Sequence, residues 1–334
     1  MSKFFAMPSF KRIVLICALF AAFSVASPNF ASAGNVYSLL EASAILGIVA
    51  AGLGVTMLAG EFDLSIGSIA ACAGLIAIMM SNHGIVTAVV CAVIPALIYG
   101  IAQGFAIARL QISSLVFTLG TFIGMRGVAY IVSNEKTLTL AMTNLKLASM
   151  LRERILIFSP FSILMIAVLI AVGLFLRYTR YGREIYAIGG ARKESQAAGV
   201  PQTRPLAIAF ACSASLAALA GALAALRGGS ATPGSHETLL LSAVAAALIG
   251  GVSVYGGRGN MLGVFLGVLT LQILLSGLQM LGTPNWTANL ATGIVLLAFL
   301  TVDLTNGKTP IATGLHRLKI RRNSRISPAG SAEA

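Results

Sequence analysis

The chain has 334 residues, of which 57% are hydrophobic and only 10% are charged, and its mean hydropathy is +0.91. Soluble domains carry about 25% charged residues, so this composition excludes a soluble globular protein and indicates helices buried in a bilayer. The formal net charge of +13 would favour nucleic acid in a soluble protein. Lys and Arg also collect in the cytoplasmic loops of membrane proteins, and we adopt that interpretation.

Apolar stretches along the chain predict ten transmembrane helices, because a helix needs about 20 residues to cross the hydrocarbon core. The stretches are Ile13–Phe30, Val36–Leu58, Ile66–Met80, Ile85–Ala108, Ile112–Val132, Ile157–Leu176, Leu206–Leu226, Leu239–Val254, Leu262–Leu281 and Trp286–Val302. Ile66–Met80 and Leu239–Val254 are short, which predicts tilted, broken or re-entrant segments. The expected fold class is an all-α integral membrane protein.

The N-terminal stretch has two possible interpretations. Lys3, Lys11 and Arg12 precede the apolar run Ile13–Val25, and the small residues 31–33 follow it, as in a cleavable signal peptide. The same residues fit an uncleaved first helix. We favour the uncleaved helix because more spans follow and because the orientation of the chain needs it.

The basic residues are distributed unevenly between the two sides of the membrane. With the N-terminus inside, 17 Lys and Arg residues lie inside, five lie outside and one lies within a span, which accounts for all 23. This bias predicts that both termini are cytoplasmic. It divides the chain into an N-terminus (1–12), a membrane domain (13–304) with a cytoplasmic loop at about 177–205, and a basic tail (305–334) that we expect to be disordered.

Four ionisable residues lie within or beside the predicted spans, where charge is costly. Glu41 lies near the start of its span, so we expect an interfacial carboxylate within reach of water. Arg126 lies in the middle of its span, and it should face the bundle interior or extend to the outer surface. Glu61 and Asp63 belong to a break in the apolar pattern.

That break, Gly60–Ser68, contains two carboxylates, glycines and serines. It fits a plain cytoplasmic turn in which Asp63 or Ser65 caps the next helix. It equally fits backbone that is buried in the protein or lines a polar pathway, since a helix break at membrane depth must do one or the other. The residue types alone leave both interpretations open.

Two further stretches are rich in glycine. Tyr181–Pro205 is rich in Arg and predicts short helices at Ile185–Ile188 and Glu194–Ala198, hence either a partner surface or an ordinary cytoplasmic loop. Ile249–Gly259 predicts tight turns and close helix approach. Glycine pairs four residues apart, which predict close helix crossings within the bundle, are Gly100/Gly104, Gly120/Gly124 and Gly263/Gly267.

Catalytic and metal-binding patterns are absent from the sequence. His83, His236 and His316 are isolated from one another, and no hydrolase, metalloprotease or phosphate-loop motif occurs. Cys17, Cys72, Cys91 and Cys212 form no CxxC pair. We therefore predict no enzyme activity, no metal site and no cofactor bound by this chain.

In their order and spacing, the three glycine-rich stretches resemble the permease subunits of bacterial ABC importers of the ribose-type monosaccharide family. The family pattern Gly-Gly-x-Asp-Leu-Ser-x-Gly-Ser is similar to Gly60–Ser68, with Glu61 in place of the second glycine. The pattern Gly-Gly-Asn-x-x-Ala-Ala-x-x-x-Gly-Ile is similar to Gly189–Val200, with Ala191 in place of Asn. The pattern Ile-Gly-Gly-x-Ser-x-x-Gly-Gly-x-Gly matches Ile249–Gly259, and the resemblance covers roughly residues 35–305.

The resemblance implies a type II ABC importer permease in the bacterial inner membrane, with about ten helices and a second permease subunit, identical or paralogous. It also implies a cytoplasmic ABC ATPase that holds ATP-Mg, and a periplasmic sugar-binding protein. The residues that it implies for ATPase coupling are Arg183, Gly189, Gly190, Arg192, Ala198 and Gly199.

A pathway for a neutral polar sugar should offer hydroxyl and amide groups. By residue type and span position the candidates are Asp63, Ser65, Ser68, Gln103, Thr118, Thr121, Gln272, Ser276 and, further along, Gln279. Such residues also form ordinary interhelical hydrogen bonds. Two alternatives remain: a related ABC permease for another small polar solute, such as branched-chain amino acids, and an ion-coupled secondary transporter. The clustering of acids at one break counts against the transporter, which places carboxylates on several helices.

Overall fold

A computed structural model gives the fold over residues 8–141 and 144–306. Within those ranges it contains thirteen α-helices, one 3₁₀ turn and two short strands. The helices are α1 (Pro8–Ala26), α2 (Ala33–Leu58), α3 (Ile66–Met79), α4 (Ile85–Leu110), α5 (Ser114–Ser133), α6 (Leu145–Leu151), α7 (Pro160–Tyr178), α8 (Arg180–Gly190), α9 (Arg192–Ala197), α10 (Thr203–Gly228), α11 (Leu239–Ile249), α12 (Met261–Met280) and α13 (Asn285–Asn306). The turn is Ser81–His83, and β1 (Leu138–Thr139) pairs antiparallel with β2 (Ser230–Ala231).

Each of the ten predicted apolar stretches coincides with a helix, and the all-α membrane class is confirmed. Among the described residues, six helices are long and apolar enough to span a bilayer: α2, α4, α5, α7, α10 and α12. Helices α3 and α11 are short, as expected. The number of crossings and the sides of the termini stay predictions, and residues 1–7 and the basic tail from 307 onward lie outside the described residues.

Two predicted boundaries are wrong. The first helix ends at Ala26, and Phe30 is folded back in a turn, fully buried between the rings of Phe20 and Phe23. The predicted span Leu239–Val254 ends at Ile249, because Gly251 adopts a φ of +76° that turns the chain out of the helix.

Helix α10 forms the centre of the bundle and packs against α2, α3 and α4. Its inner positions are mostly alanine, and many of them are fully buried. Small side chains let helix backbones approach closely in a bilayer, where van der Waals packing drives association. Gly100 and Gly104 of α4 meet α10 in this way: a Cβ atom on either would lie 2.5 Å from a carbonyl oxygen of Phe210 or Leu206.

The other two glycine pairs differ in outcome. Gly263 and Gly267 of α12 lie on the backbone of Gly250 and Ala246 at the end of α11, so the predicted crossing is confirmed there. Around Gly120 and Gly124 of α5, no atom lies within 4 Å of the position that a Cβ atom would take, so the predicted crossing within the bundle is wrong for this pair.

Residues 229–238 enter the bundle as a non-helical segment beside α3. Ala231 lies next to Gly74, while the carbonyl oxygen of His236 lies 3.0 Å from the Cβ position of Gly67. Since seven residues of helix rise ~10 Å, the segment runs that far along α3 before α11 begins. Helix α11 follows this segment and is short, as expected from the short apolar stretch; re-entry into the membrane stays a prediction.

Candidate functional site

The three glycine-rich stretches converge at the end of α2. The backbone nitrogen of Gly257 donates a 2.9 Å hydrogen bond to the carbonyl oxygen of Leu58. A Cβ atom on Gly256 would lie 2.7 Å from the Cα of Gly60, and one on Gly257 would lie 2.5 Å from the Cα of Gly190. We call this set, Gly60, Gly189, Gly190, Gly256 and Gly257, the glycine junction. At Gly189, Gly256 and Gly257 backbone lies directly on backbone, so a Cβ atom has no room there, and Gly60 has a φ of +76° that favours glycine.

An ion pair closes the glycine junction on one side. Arg192 places Nη2 2.6 Å from Oε1 of Glu61 and 3.4 Å from the carbonyl oxygen of Ala59. The Glu61 side chain is 10% exposed and that of Arg192 is 39% exposed. Glu61, which departs from the glycine of the resembling pattern, therefore has a partner on α9.

A hydrogen bond from Tyr186 closes the other side of the junction. Its hydroxyl donates to the carbonyl oxygen of Gly259 at 2.8 Å. Burial raises the pKa of the Tyr186 hydroxyl, so the group stays protonated and remains a donor. Helices α8 and α9 are thus fixed to both the first and the third glycine-rich stretch.

Helix α8 is amphipathic and has a buried and an exposed face. Gly182, Glu184, Ile185 and Ile188 are buried, whereas Arg183 is exposed. Arg180 and Glu184 form an i,i+4 ion pair at 2.8 Å. The exposed face is basic and unoccupied within the described residues.

The predicted coupling residues separate into two groups of three. Gly189 and Gly190 belong to the glycine junction, and Arg192 closes it through the ion pair with Glu61. The remaining three, Arg183, Ala198 and Gly199, are exposed. Gly199 adopts a φ of +85° with nothing within 4 Å of its Cβ position. The first group holds the segment to the bundle, and the second group is available to a partner.

Asp63 lies at the centre of a buried polar cluster. Its carboxylate accepts hydrogen bonds from Ser65 N at 3.0 Å, Gln103 Nε2 at 3.2 Å and Ser213 Oγ at 2.8 Å. Asp63 is fully buried, so the plain cytoplasmic turn is wrong and the buried break is correct. Ser65 occupies the N-cap position of α3 but makes no side-chain cap, because its hydroxyl donates to Asp63.

Sequence reasoning missed Ser213 of this cluster. It lies in an alanine- and serine-rich stretch of α10, and nothing in that stretch distinguishes it from its neighbours. Ser213 is 150 residues from Asp63 in the sequence and becomes its hydrogen-bond donor only when α10 packs against the break.

Helix α5 is tied to the same break through two hydroxyl groups. Ser114 Oγ accepts from the backbone nitrogen of Phe62 at 3.2 Å, and Thr118 Oγ1 accepts from that of Leu64 at 3.1 Å. Ser68 donates to the carbonyl oxygen of Ser65. Thr121 continues the row by donating to the carbonyl oxygen of Thr118.

The pathway candidates on α12 lie apart from this cluster. Gln272 donates to the carbonyl oxygen of Ala42 at 3.3 Å, and Ser276 donates to Asn35 Oδ1 at 3.2 Å. Gln279 is exposed. Six of the eight principal candidates are therefore near the break, whereas Gln272 and Ser276 join α12 to α2.

Glu41 and Arg126 each have a charged partner. Glu41 is 7% exposed and forms an ion pair with Arg227 of α10, so its expected contact with water is wrong. Arg126 pairs with Glu237 of the segment 229–238, and its Nη2 lies 3.4 Å from the carbonyl oxygen of Gly234. Glu237 was not identified from the sequence, because it lies outside the predicted spans.

One side of α5 is open. The helix buries Thr118 and Ala129 against the bundle and leaves Gly120, Gly124 and Gly127 on the opposite side with nothing within 4 Å of their Cβ positions. We call these three glycines the α5 face. Glu237, which pairs with Arg126 of α5, is 63% exposed. Within residues 8–141 and 144–306, no group of three or more His, Cys, Asp or Glu side chains could hold a metal ion.

Comparison with known proteins supports the family resemblance of the three glycine-rich stretches. Residues 35–300 match the family described as branched-chain amino acid transport system / permease component. The chain is 33% identical over 306 residues to the L-arabinose transport system permease protein of Escherichia coli K12, covering 87% of this chain and 89% of that one. It is 31% identical over 282 residues to the ribose import permease protein of Bacillus subtilis 168, covering 84% and 88%. With the xylose transport system permease protein of Haemophilus influenzae it shares 27% over 359 residues, covering 89% and 96%. No solved structure matches the chain.

Proposed function

This chain belongs to the family of branched-chain amino acid transport system permease components, and from that premise we propose that it forms the membrane path of an ATP-driven monosaccharide importer. It is a multi-pass permease of the inner membrane. The sugar class is supported by relatives named for arabinose, ribose and xylose, each aligned over at least 84% of this chain.

The glycine junction is the observation that carries this proposal. It joins α8 and α9 to the break between α2 and α3 through backbone contacts and the Glu61–Arg192 ion pair. Two backbones in direct contact, without intervening side chains, cannot shift far relative to each other. Movement of α8 is therefore transmitted to the break. Such a joint is what a permease needs between its coupling segment and its path.

We propose that a separate ABC ATPase, which holds ATP-Mg, docks on the exposed side of α8 and α9. Arg183, Ala198 and Gly199 are exposed there. ATP binding and hydrolysis by the partner would shift α8 and, through the junction, the break that contains Asp63. Two arrangements of packed helices around a fixed path then give alternating access.

A second permease subunit, identical or paralogous, covers the α5 face in this proposal. Three glycines on one side of α5 leave a shallow groove there, and small residues let two membrane helices approach closely. The sugar path would lie between the two subunits beside α5. A periplasmic sugar-binding protein would deliver its ligand to the end that contains α6 and the β1–β2 pair.

The polar cluster around Asp63 is the proposed polar part of that path. Its hydroxyl and amide groups suit a neutral sugar, and α5 is held to it by Ser114 and Thr118. In the structure these groups bond to one another, so a sugar would reach them only when α5 separates from the break. Gln272 and Ser276 bond to α2 and contribute less to this proposal.

Branched-chain amino acids are the second candidate substrate, because the family description names them. A zwitterion would call for charged groups along the path, and Arg126 and Glu237 are a charged pair beside α5. They already neutralise each other, which favours the uncharged sugar.

Uptake into proteoliposomes tests the proposal. The chain is reconstituted with its ATPase and binding protein, and labelled arabinose, ribose, xylose and leucine are supplied in turn. We expect sugar uptake that requires ATP on the side of the vesicle that bears the ATPase and that survives a protonophore. Uptake that survives without ATP but collapses with the proton gradient would contradict an ABC importer, and ATP-dependent uptake of leucine alone would favour the second candidate.

Charge reversal on α8 tests the docking surface separately. Arg183→Glu should prevent co-purification of the ATPase while leaving the permease folded, since Arg183 is exposed. Arg109→Glu, at the exposed end of α4, is the matched control and should retain the ATPase. Equal retention by the two variants would remove α8 as the docking surface.

A further inference from the structure

A groove of about 840 Å³ lies between α7 and α12. Apart from three polar residues, its lining consists of Gly173 and large apolar side chains of these two helices. It opens on the outer surface of the bundle, where Ile170, Leu174 and Leu262 are each more than half exposed. The groove therefore faces the surroundings of the subunit, and no residue of the Asp63 cluster lines it.

The three polar residues of the groove are Arg177, Tyr186 and Asn260, and all lie at one end. Tyr186 and Asn260 are engaged, the first with the carbonyl oxygen of Gly259 and the second with the backbone nitrogen of Gly263. Arg177 lies 5.4 Å from the ring centroid of Tyr178 and, in the part of the chain that the structure describes, pairs with no carboxylate. A net positive charge thus lies at the mouth of an apolar groove.

The length of the groove matches one leaflet of a bilayer. Its lining on α7 runs from Ile166 to Arg177, which is ~16 Å of helix at 1.5 Å per residue. The hydrocarbon core of a bilayer is ~30 Å thick, so one leaflet is about half of that. Arg177 lies in the last turn of α7, just before α8, and the distribution of basic residues predicts that this end of α7 lies at the cytoplasmic interface.

We propose that the groove binds an anionic phospholipid of the cytoplasmic leaflet. An acyl chain lies between α7 and α12, and the phosphate meets Arg177. Basic pockets between membrane helices on the cytoplasmic side favour anionic headgroups, and the apolar part supplies contact area for the chain. Because Tyr186 belongs to α8, the headgroup lies beside the segment that is fixed to the glycine junction.

A second copy of the chain is the competing occupant, and charge disfavours it. The two copies would have to bury Arg177 against a mostly apolar wall without a counter-charge, which is costly. A lipid phosphate supplies that counter-charge at the depth where Arg177 lies. The inference depends on the membrane-spanning fold and is independent of the solute that the permease carries.

Native mass spectrometry of the full chain, purified in a mild detergent, tests the proposal. It is titrated with phosphatidylglycerol or with phosphatidylcholine. We expect preferential retention of phosphatidylglycerol and about fivefold weaker binding in Arg177→Gln, the effect of removing one basic group from an anionic surface. Arg177→Lys should retain most of the binding. Arg204→Gln, an exposed arginine at the cytoplasmic end of α10, is the matched control and should bind as the wild type does.

A groove-filling variant separates the two occupants. Gly173 lies 3.5 Å, measured from its Cβ position, from Cβ of Met261, so Gly173→Leu fills the groove and should lower the binding of phosphatidylglycerol. Equal binding of both lipids by the wild type, or unchanged phosphatidylglycerol binding in both Arg177→Gln and Gly173→Leu, would overturn the proposal. Loss of subunit pairing in Gly173→Leu with unchanged lipid binding would assign the groove to a second copy instead.

Discussion

Helices α4 and α5 contain the same sequence feature in opposite surroundings. Each has two glycines four residues apart, Gly100/Gly104 on α4 and Gly120/Gly124 on α5. On α4, a Cβ atom at either position would lie 2.5 Å from a carbonyl oxygen of α10, whereas on α5 nothing lies within 4 Å. The spacing shows that a helix permits close approach, but it does not show which helix approaches.

The partner is decided by what the rest of the bundle offers. Helix α10 presents an alanine-rich surface that matches the glycines of α4, and the two helices are in extensive contact. Helix α5 uses its other side, with Ser114 and Thr118, to hold the α2–α3 break. Its glycines are then left for a partner outside the subunit, which the proposed second permease subunit supplies.

We expect the largest effect from Gly104→Leu on α4, the helix whose glycine pair is buried against α10. The new side chain would overlap the backbone of Leu206 and Ala207, which cannot move without shifting α10. Overpacking of this kind should cost about 3 kcal/mol of folding free energy. Fluorescence-detected size-exclusion chromatography and thermal melting of the purified permease measure the loss. Folded Gly104→Leu protein with unchanged melting would show that the α4–α10 contact is looser than the structure has it.

The matched variant is Gly124→Leu on the exposed α5 face. The subunit should fold and melt as the wild type does, because nothing lies within 4 Å of the new Cβ. Pairing of permease subunits should weaken by about 5- to 150-fold, which corresponds to an interface clash of about 1–3 kcal/mol. Native mass spectrometry reports the pairing, and proteoliposome uptake reports the transport that depends on it. Wild-type pairing and transport would exclude the α5 face as the subunit interface.

A smaller effect is expected at the Glu61–Arg192 ion pair, which closes the glycine junction on the side of α9. Because Arg192 is partly exposed, screening limits the pair to about 1 kcal/mol. Glu61→Arg should lower the amount of sugar transported per ATP hydrolysed, and the double variant Glu61→Arg with Arg192→Glu should restore much of it. Equal losses in the single and double variants would indicate that the pair does not act as a unit.

We expect the smallest effects from glycine-to-alanine substitutions, which compare α4 and α5 by adding a single methyl group to each helix. Gly127→Ala on α5 adds one methyl group in open space and should stabilise the isolated subunit by up to about 1 kcal/mol, because alanine is the better helix former. Gly100→Ala on α4 should instead destabilise it, since the methyl group meets the carbonyl oxygen of Phe210. Thermal melting of the two alanine variants side by side should give shifts of opposite sign, and shifts of the same sign would contradict the comparison.

Local features of the sequence were sufficient for the helices and for part of the candidate site. The apolar stretches located ten helices, and the residue types at Gly60–Ser68 located a break but left open whether it is buried. Six polar candidates near that break do lie together. Polar side chains in an apolar bundle find few hydrogen-bond partners other than one another, which brings them to the same place. Ser213, Glu237 and the partner of Glu41 were missed, since their neighbours in the sequence carry no sign of them.

The sequence by itself determined that this chain is a bundle of membrane helices with three glycine-rich breaks, because hydropathy and the conformational freedom of glycine act over a few neighbouring residues. The tertiary structure alone decided that the three breaks meet at one junction, that Arg227 neutralises Glu41 across 186 residues of chain, and that one glycine pair is buried while another is open. These outcomes depend on which helix surfaces come into contact. That choice is made by packing across the whole bundle, where every buried charge must find a partner and every close crossing needs a matching small surface.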